Sequence, residues 1–192
     1  MNNNQERTFP KENAYLQIYG EKILSGKDIS DKEALEIATS TDNSLLFDIL
    51  ALTNKIRKKH KGNKIKLCAI INAKSGRCSE NCSFCAQSVH YKTGIETYTL
   101  VSPEIVLNAA KKAKDLGARE FSIVTSGVSP SDNELESIMN SVKTVSQNTG
   151  LETCTSLGII NKESLIALKN QGLKKYHHNL ETSRSYFKNI CT

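Results

Sequence analysis

From about residue 64 onward, short apolar runs of strand type alternate with amphipathic helical stretches four times. This alternation constrains the fold more than any other feature of the 192-residue sequence. Strands are expected at Lys64 to Asn72, Glu120 to Thr125, Leu151 to Ser156 and Lys174 to Leu180. Between them, Ser102-Pro-Glu opens a helix running to Gly117, with a cap, Pro at the first position and an acid in the first turn. Its apolar set, Ile105, Val106, Ala109, Ala110 and Ala113, is expected to face inward. Further helices are expected at Ser131 to Asn148, stopped by Gly150, at Lys162 to Gln171, stopped by Gly172, and from near Ser183. Repeated βα units of this size imply a parallel sheet with right-handed crossovers. Their functional residues belong at the C-terminal ends of the strands. Four strands do not close a barrel, so the expected fold is an α/β, incomplete TIM-like (βα) barrel of about four units with an unpaired edge at strand four.

Helices precede the barrel. Residues 1–12 are polar and read as a loose N-terminus. A first helix is expected from Asn13 to about Ser25, carrying Tyr15, Ile18, Tyr19, Ile23 and Leu24, with Gly26 at its end. Ser30-x-x-Glu33 reads as a capping box for a second helix through Ala38. A third, Asn43 to His60, ends in the cationic turn Lys55-Ile-Arg-Lys-Lys-His, as the helix dipole favours. Residues 13–62 thus form a helical lead-in expected to pack beside the barrel domain of residues 63–192.

Composition excludes several classes. No apolar run approaches the ~20 residues of a membrane span, and the N-terminus lacks the apolar core of a secretory signal. The net charge of +6 comes from scattered lysines without interleaved aromatics, so neither a membrane nor a nucleic-acid partner is expected. Six cysteines in such a chain suit the reducing cytoplasm, where thiols more often bind metal than pair.

Three of those cysteines follow strand one, in Cys78-Ser-Glu-Asn-Cys82-Ser-Phe-Cys85. Thiolate is the soft ligand that iron–sulfur clusters and zinc prefer. Structural zinc takes four ligands, usually as two separated pairs, and no second C-x-x-C pair follows here. Three cysteines on a four-iron cluster leave one iron free for an outside ligand.

On these residues the chain resembles the radical S-adenosylmethionine (radical SAM) superfamily. The wider string Asn72-Ala-Lys-Ser-Gly-Arg-Cys-Ser-Glu-Asn-Cys-Ser-Phe-Cys-Ala-Gln-Ser, continuing into Tyr91-Lys-Thr-Gly94, resembles the biotin synthases. The resemblance implies a 4Fe–4S cluster on Cys78, Cys82 and Cys85, with S-adenosylmethionine chelating the open iron. It places Phe84 near the adenine, although plain packing explains that residue equally well. It puts Ser126 and Gly127, after strand two, at the methionine amino group, although any tight βα turn favours a glycine there. It places Asn179 near the adenosyl ribose and dethiobiotin, and Glu181 on the ribose hydroxyls. An extended strand would put His177, Asn179 and Glu181 on one face. By itself Cys154, on strand three, is a small buried hydrophobe; by resemblance it ligates an auxiliary iron–sulfur cluster. Ser122 departs from the pattern, because well-known biotin synthases carry another auxiliary-cluster cysteine at that position. A hydroxyl replaces a thiolate poorly, so the type of auxiliary cluster is left open. Cys68 and Cys191 match no ligand position and read as structural or incidental.

The implied activity is that of a biotin synthase-like sulfurtransferase, inserting sulfur into dethiobiotin through a 5′-deoxyadenosyl radical. Flavodoxin or ferredoxin would donate electrons, and a homodimer is compatible with the family. No catalytic acid or base is required, and no dyad of that kind stands out. The chain is expected to represent about the N-terminal two-thirds of such an enzyme. Two alternatives stand beside this reading: a related radical SAM enzyme of the hydrogenase-maturation type, and a non-catalytic fragment that binds only a cluster or a partner.

Overall fold

The computed structural model describes residues 14–40 and 45–191. The loose stretch expected at residues 1–12, and the expected first residues Asn13 and Asn43 of two helices, lie outside the described residues. The chain divides into two compact units, one up to Ile65 and one from Lys66.

The first unit contains α1 (Ala14–Leu24), α2 (Asp31–Thr39) and α3 (Leu45–Lys61). Gly20 of α1 lies so close to Leu52 of α3 that a Cβ there would overlap the leucine methyls. The capping box forms as expected: the Glu33 backbone N–H donates to Ser30 Oγ at 3.3 Å, and the Ser30 backbone N–H donates to the Glu33 carboxylate at 2.6 Å. Lys22 of α1 also reaches that carboxylate at 2.6 Å. These bonds hold the Glu33 carboxyl down at about 2, with the Lys22 ammonium the largest cause. In α3, Leu45 is buried, whereas Leu46 and Leu50 are exposed.

The second unit is a four-stranded parallel sheet, in the order β1 (Cys68–Lys74), β2 (Glu120–Thr125), β3 (Glu152–Ser156), β4 (Lys175–Tyr176). Its crossovers contain α4 (Pro103–Asp115), α5 (Asp132–Thr149) and α6 (Lys162–Asn170), and α7 (Phe187–Ile190) follows β4. The expected incomplete (βα) barrel is therefore what the chain builds. Phe121 and Ile123 of β2 meet Val106 and Ala110 of α4, and Ile138, Val142 and Val145 of α5, in the apolar core. Ile105 does not join it. The buried stripe of α4 runs through Val106, Ala110 and Ala113, and Ile105 lies off that stripe and stays exposed.

Several strand boundaries move: β1 runs on to Lys74, and β3 and β4 each begin one residue late, at Glu152 and Lys175. β1 begins at Cys68 rather than Lys64, although the Leu67 carbonyl already accepts from the Arg119 N–H at 2.8 Å. β4 stops at Tyr176 rather than Leu180, because only the His177 N–H extends the ladder, to the Thr155 carbonyl at 2.8 Å.

Candidate functional site

The cysteine loop leaves β1 through a register shift between Asn72 and Lys74. Gly76 and Arg77 both adopt left-handed backbone, at φ 76° and 57°. A Cβ on Gly76 would run into the Thr97 side chain, so both the turn and the close approach require glycine there. Ser75 and Tyr98 exchange backbone hydrogen bonds at 3.1 Å, which fastens the far end of the loop to its start. Within it, the Cys78 N–H donates to the Gln87 carbonyl at 3.0 Å and the Val89 N–H to the Cys78 carbonyl at 2.9 Å. The Cys85 N–H closes a tight turn onto the Cys82 carbonyl at 3.0 Å. Ser88 bridges the two halves, pairing with Cys78 and donating its N–H to the Cys85 carbonyl at 3.3 Å. Backbone bonds local in sequence therefore gather the three cysteines on one loop. All three thiols are free and half-buried.

Among the described residues, no three His, Cys, Asp or Glu side chains converge as a single metal ion would require. A polynuclear cluster differs, since each cysteine binds a separate iron and the ligands stand further apart. The donor chemistry fits such a cluster: three unpaired soft thiols on one pinned loop.

The loop is also held from two other strands. The Ser126 N–H donates to the Lys74 carbonyl at 3.0 Å, and the buried Ser126 hydroxyl donates to the Gly76 carbonyl at 2.7 Å. Thus both Ser126 donors are used inside the fold, while Gly127, at φ 106°, turns the chain away after β2. From the far side of β4, the Ser83 N–H donates to the Ile190 carbonyl at 2.9 Å. The Cys191 thiol is buried, and burial, followed by the neighbouring Cys82 thiol, pushes it up. Nothing in the spacing of the sequence announced this docking of α7 on the cysteine loop.

Phe84 is exposed on the loop. Asn179 and Glu181 are likewise exposed, beyond the end of β4. Because the strand has ended, the expected single face of His177, Asn179 and Glu181 does not form, and Glu181 turns left-handed at φ 62°. Asn179 instead lines a groove of about 680 Å³ with His178, Leu180, Arg184 and Phe187.

The sheet face opposite the helices carries the remaining candidate. Strand alternation and parallel register place Cys68, Glu120 and Glu152 in one row, and Ile70, Ser122, Cys154 and Lys175 in the next. Cys154 is fully buried, and its thiol lies 3.6 Å from the Glu120 carboxylate. Burial first, and then the negative Glu120, push that thiol up to about 11. Glu120 is paired with Lys175 and, at 3.4 Å, with Lys66, which also bridges to Glu152 at 2.7 Å. Lys175 foremost among these cations holds the Glu120 carboxyl below its ordinary range. This charge cluster did not stand out in the sequence, since its members lie far apart in the chain and only register unites them.

The radical SAM superfamily profile matches residues 72–192. The chain belongs to the radical SAM superfamily. This radical SAM chain is similar to biotin synthases over nearly its whole length. The protein of Clostridium tetani is 45% identical, with 94% of this chain and 55% of that protein covered. That of Clostridioides difficile is 49% identical, covering 93% and 55%, and that of Geotalea daltonii is 46% identical, covering 92% and 54%. The chain spans about half the length of the curated relatives it matches, rather than the expected two-thirds. Among solved structures, the FeFe-hydrogenase maturase HydG superposes with a TM-score of 0.77 at 20% identity, covering 93% of this chain and 39% of that one. Methylornithine synthase gives 0.69 at 20% identity, covering 82% and 46%. These two share the radical SAM fold with it. No helix among the described residues is long and apolar enough to cross a membrane.

Proposed function

We propose that this radical SAM chain acts as a biotin synthase-like sulfurtransferase, with dethiobiotin as substrate. The observation that supports this best is identity of 45 to 49% to proteins named biotin synthase, extending over more than 90% of the chain. Cys78, Cys82 and Cys85 would hold the 4Fe–4S cluster. Such a cluster, when bound, supplies one electron to S-adenosylmethionine to begin hydrogen abstraction at unactivated carbons.

The chain's own residues do the positioning. The Ser126 hydroxyl fixes the loop entrance by its bond to the Gly76 carbonyl, and Gly127 follows it at the turn assigned to the methionine end of S-adenosylmethionine. Phe84 offers an exposed ring for the adenine. Asn179 and Glu181, free of the strand ladder, are in reach of solvent for the ribose and substrate. Cys154 would ligate an auxiliary cluster from the open face, and Glu120 is the nearest acceptor for its proton. Flavodoxin or ferredoxin would supply electrons in the cytoplasm, and the working assembly would be a homodimer.

The test is anaerobic incubation of the reconstituted chain with S-adenosylmethionine, dethiobiotin and reduced flavodoxin. Biotin above the level of a Cys78→Ala control is the expected result. Cleavage of S-adenosylmethionine with no biotin would exclude dethiobiotin as substrate.

A further inference from the structure

The open face of the sheet carries two cysteines, not one. Cys68 begins β1 in register with Glu120, and Cys154 stands one row along, in register with Ser122. Both point away from the face on which Phe121 and Ile123 meet the helices. Strands lie about 4.8 Å apart, so Ser122 on β2 separates the two cysteine strands by one strand spacing on either side.

Ser122 supplies an independent observation. Its hydroxyl is buried, with the residue only 2% exposed, and has no hydrogen-bond partner. The other two such hydroxyls among the described residues, Thr153 and Thr155, are in register with Phe121 and Ile123 and so face the helices. A buried polar atom without a partner marks a group that is missing from its surroundings. Here that atom lies on the open face between two free thiols. Lys66 and Lys175 flank the same patch, paired with Glu120 and Glu152.

The sequence shows Ser122 as a lost ligand and Cys68 as a cysteine without a role. The register joins the two facts, because the thiol absent from β2 is present on the neighbouring strand. We propose that Cys68 replaces the strand-two cysteine, so that Cys68 and Cys154 ligate one second iron–sulfur cluster on this face, with the Ser122 hydroxyl turned toward it. This rests on the reading that the chain carries an auxiliary cluster. Each thiol loses one proton as its sulfur–iron bond forms, and no electron is transferred. Both protons pass to solvent, that of Cys154 by way of the adjacent Glu120 carboxylate, which its lysine partners keep ionised.

The test starts from the chain with Cys78, Cys82 and Cys85 all replaced by Ala, so that any cluster it takes up lies elsewhere. It is reconstituted anaerobically with iron, sulfide and a small thiol that completes the coordination. Bound iron, bound sulfide and visible absorption are read per chain, with circular dichroism to verify folding. The triple variant should retain iron and sulfide in comparable amounts, and adding Cys68→Ser should lower both several-fold. Adding Cys68→Ser together with Ser122→Cys should restore them, since the thiol returns to β2. A triple variant that binds no iron and sulfide overturns the proposal. So does a Cys68→Ser variant that binds as much as its parent, or a Ser122→Cys change that restores nothing. None of these readouts uses S-adenosylmethionine or biotin, so failure of the proposed reaction would leave them unchanged.

Discussion

The Ser126 hydroxyl donates to the Gly76 carbonyl at 2.7 Å across 50 residues of sequence. That bond ties the turn after β2 to the turn that opens the cysteine loop, and it is buried. Replacing Ser126 by Ala leaves the Gly76 carbonyl without that donor. The expected loss is about 1 to 3 kcal/mol of unfolding free energy, as for a buried group left unpaired. Denaturant unfolding of the Ser126→Ala chain checks the magnitude. Iron uptake on reconstitution should fall with it.

Gly158, after β3, has φ 77°, and a Cβ there would overlap the Val128 backbone carbonyl. The adjacent Ile159 N–H donates to that same carbonyl at 2.7 Å, so the two turns cannot separate freely. Gly158→Ala should destabilise the chain by about 3 kcal/mol. Gly150→Ala meets no neighbour and pays only the left-handed backbone penalty, about 1 kcal/mol. Comparing the two thermal midpoints tests the difference.

Cys154 titrates higher in the folded chain, about 11, than the ordinary 9.0. A group whose folded value is raised contributes stability that is fully present below the unfolded value. That contribution is lost as pH rises through the folded value, here between about 9 and 11. The chain should therefore lose stability over that window more steeply than Cys154→Ala, in unfolding measured at each pH. At pH 8, iodoacetamide should label the exposed Cys68 well before Cys154.

The Ser83 N–H donates to the Ile190 carbonyl at 2.9 Å, which brings Cys191 beside Cys82 of the cysteine loop. Mild oxidation of the cluster-free chain with diamide should join these two sulfurs, detected as one cross-linked peptide after digestion. Cys191→Ser should abolish that peptide. A cross-link from Cys82 to Cys78 or Cys85 instead would contradict the docking of α7 on the loop.

The alternation of strands and helices was plain in the sequence because each element carries its own period and punctuation. The bounds of β2 agree to the residue, and the capping box at Ser30 forms as its spacing implied. β4 was overextended because the polar run from His177 to Glu181 resembles an alternating strand. The backbone there has left the ladder, with Glu181 in left-handed conformation. The cysteine loop was equally legible, since its ligands are local in sequence. What local pattern could not reveal was register. The neighbourhood of Cys68, Ser122 and Cys154, the Lys66–Glu120–Lys175 cluster and the docking of Ile190 on Ser83 all join residues far apart in the chain.

The central claim is that Cys78, Cys82 and Cys85 assemble a cluster that binds S-adenosylmethionine through an open iron. The most direct measurement is electron paramagnetic resonance of the anaerobically reconstituted and reduced chain, with and without S-adenosylmethionine. A four-iron signal that shifts on adding S-adenosylmethionine, and that is absent from the Cys78→Ala chain, is the predicted result. A signal indifferent to S-adenosylmethionine, or one that survives Cys78→Ala unchanged, would contradict it.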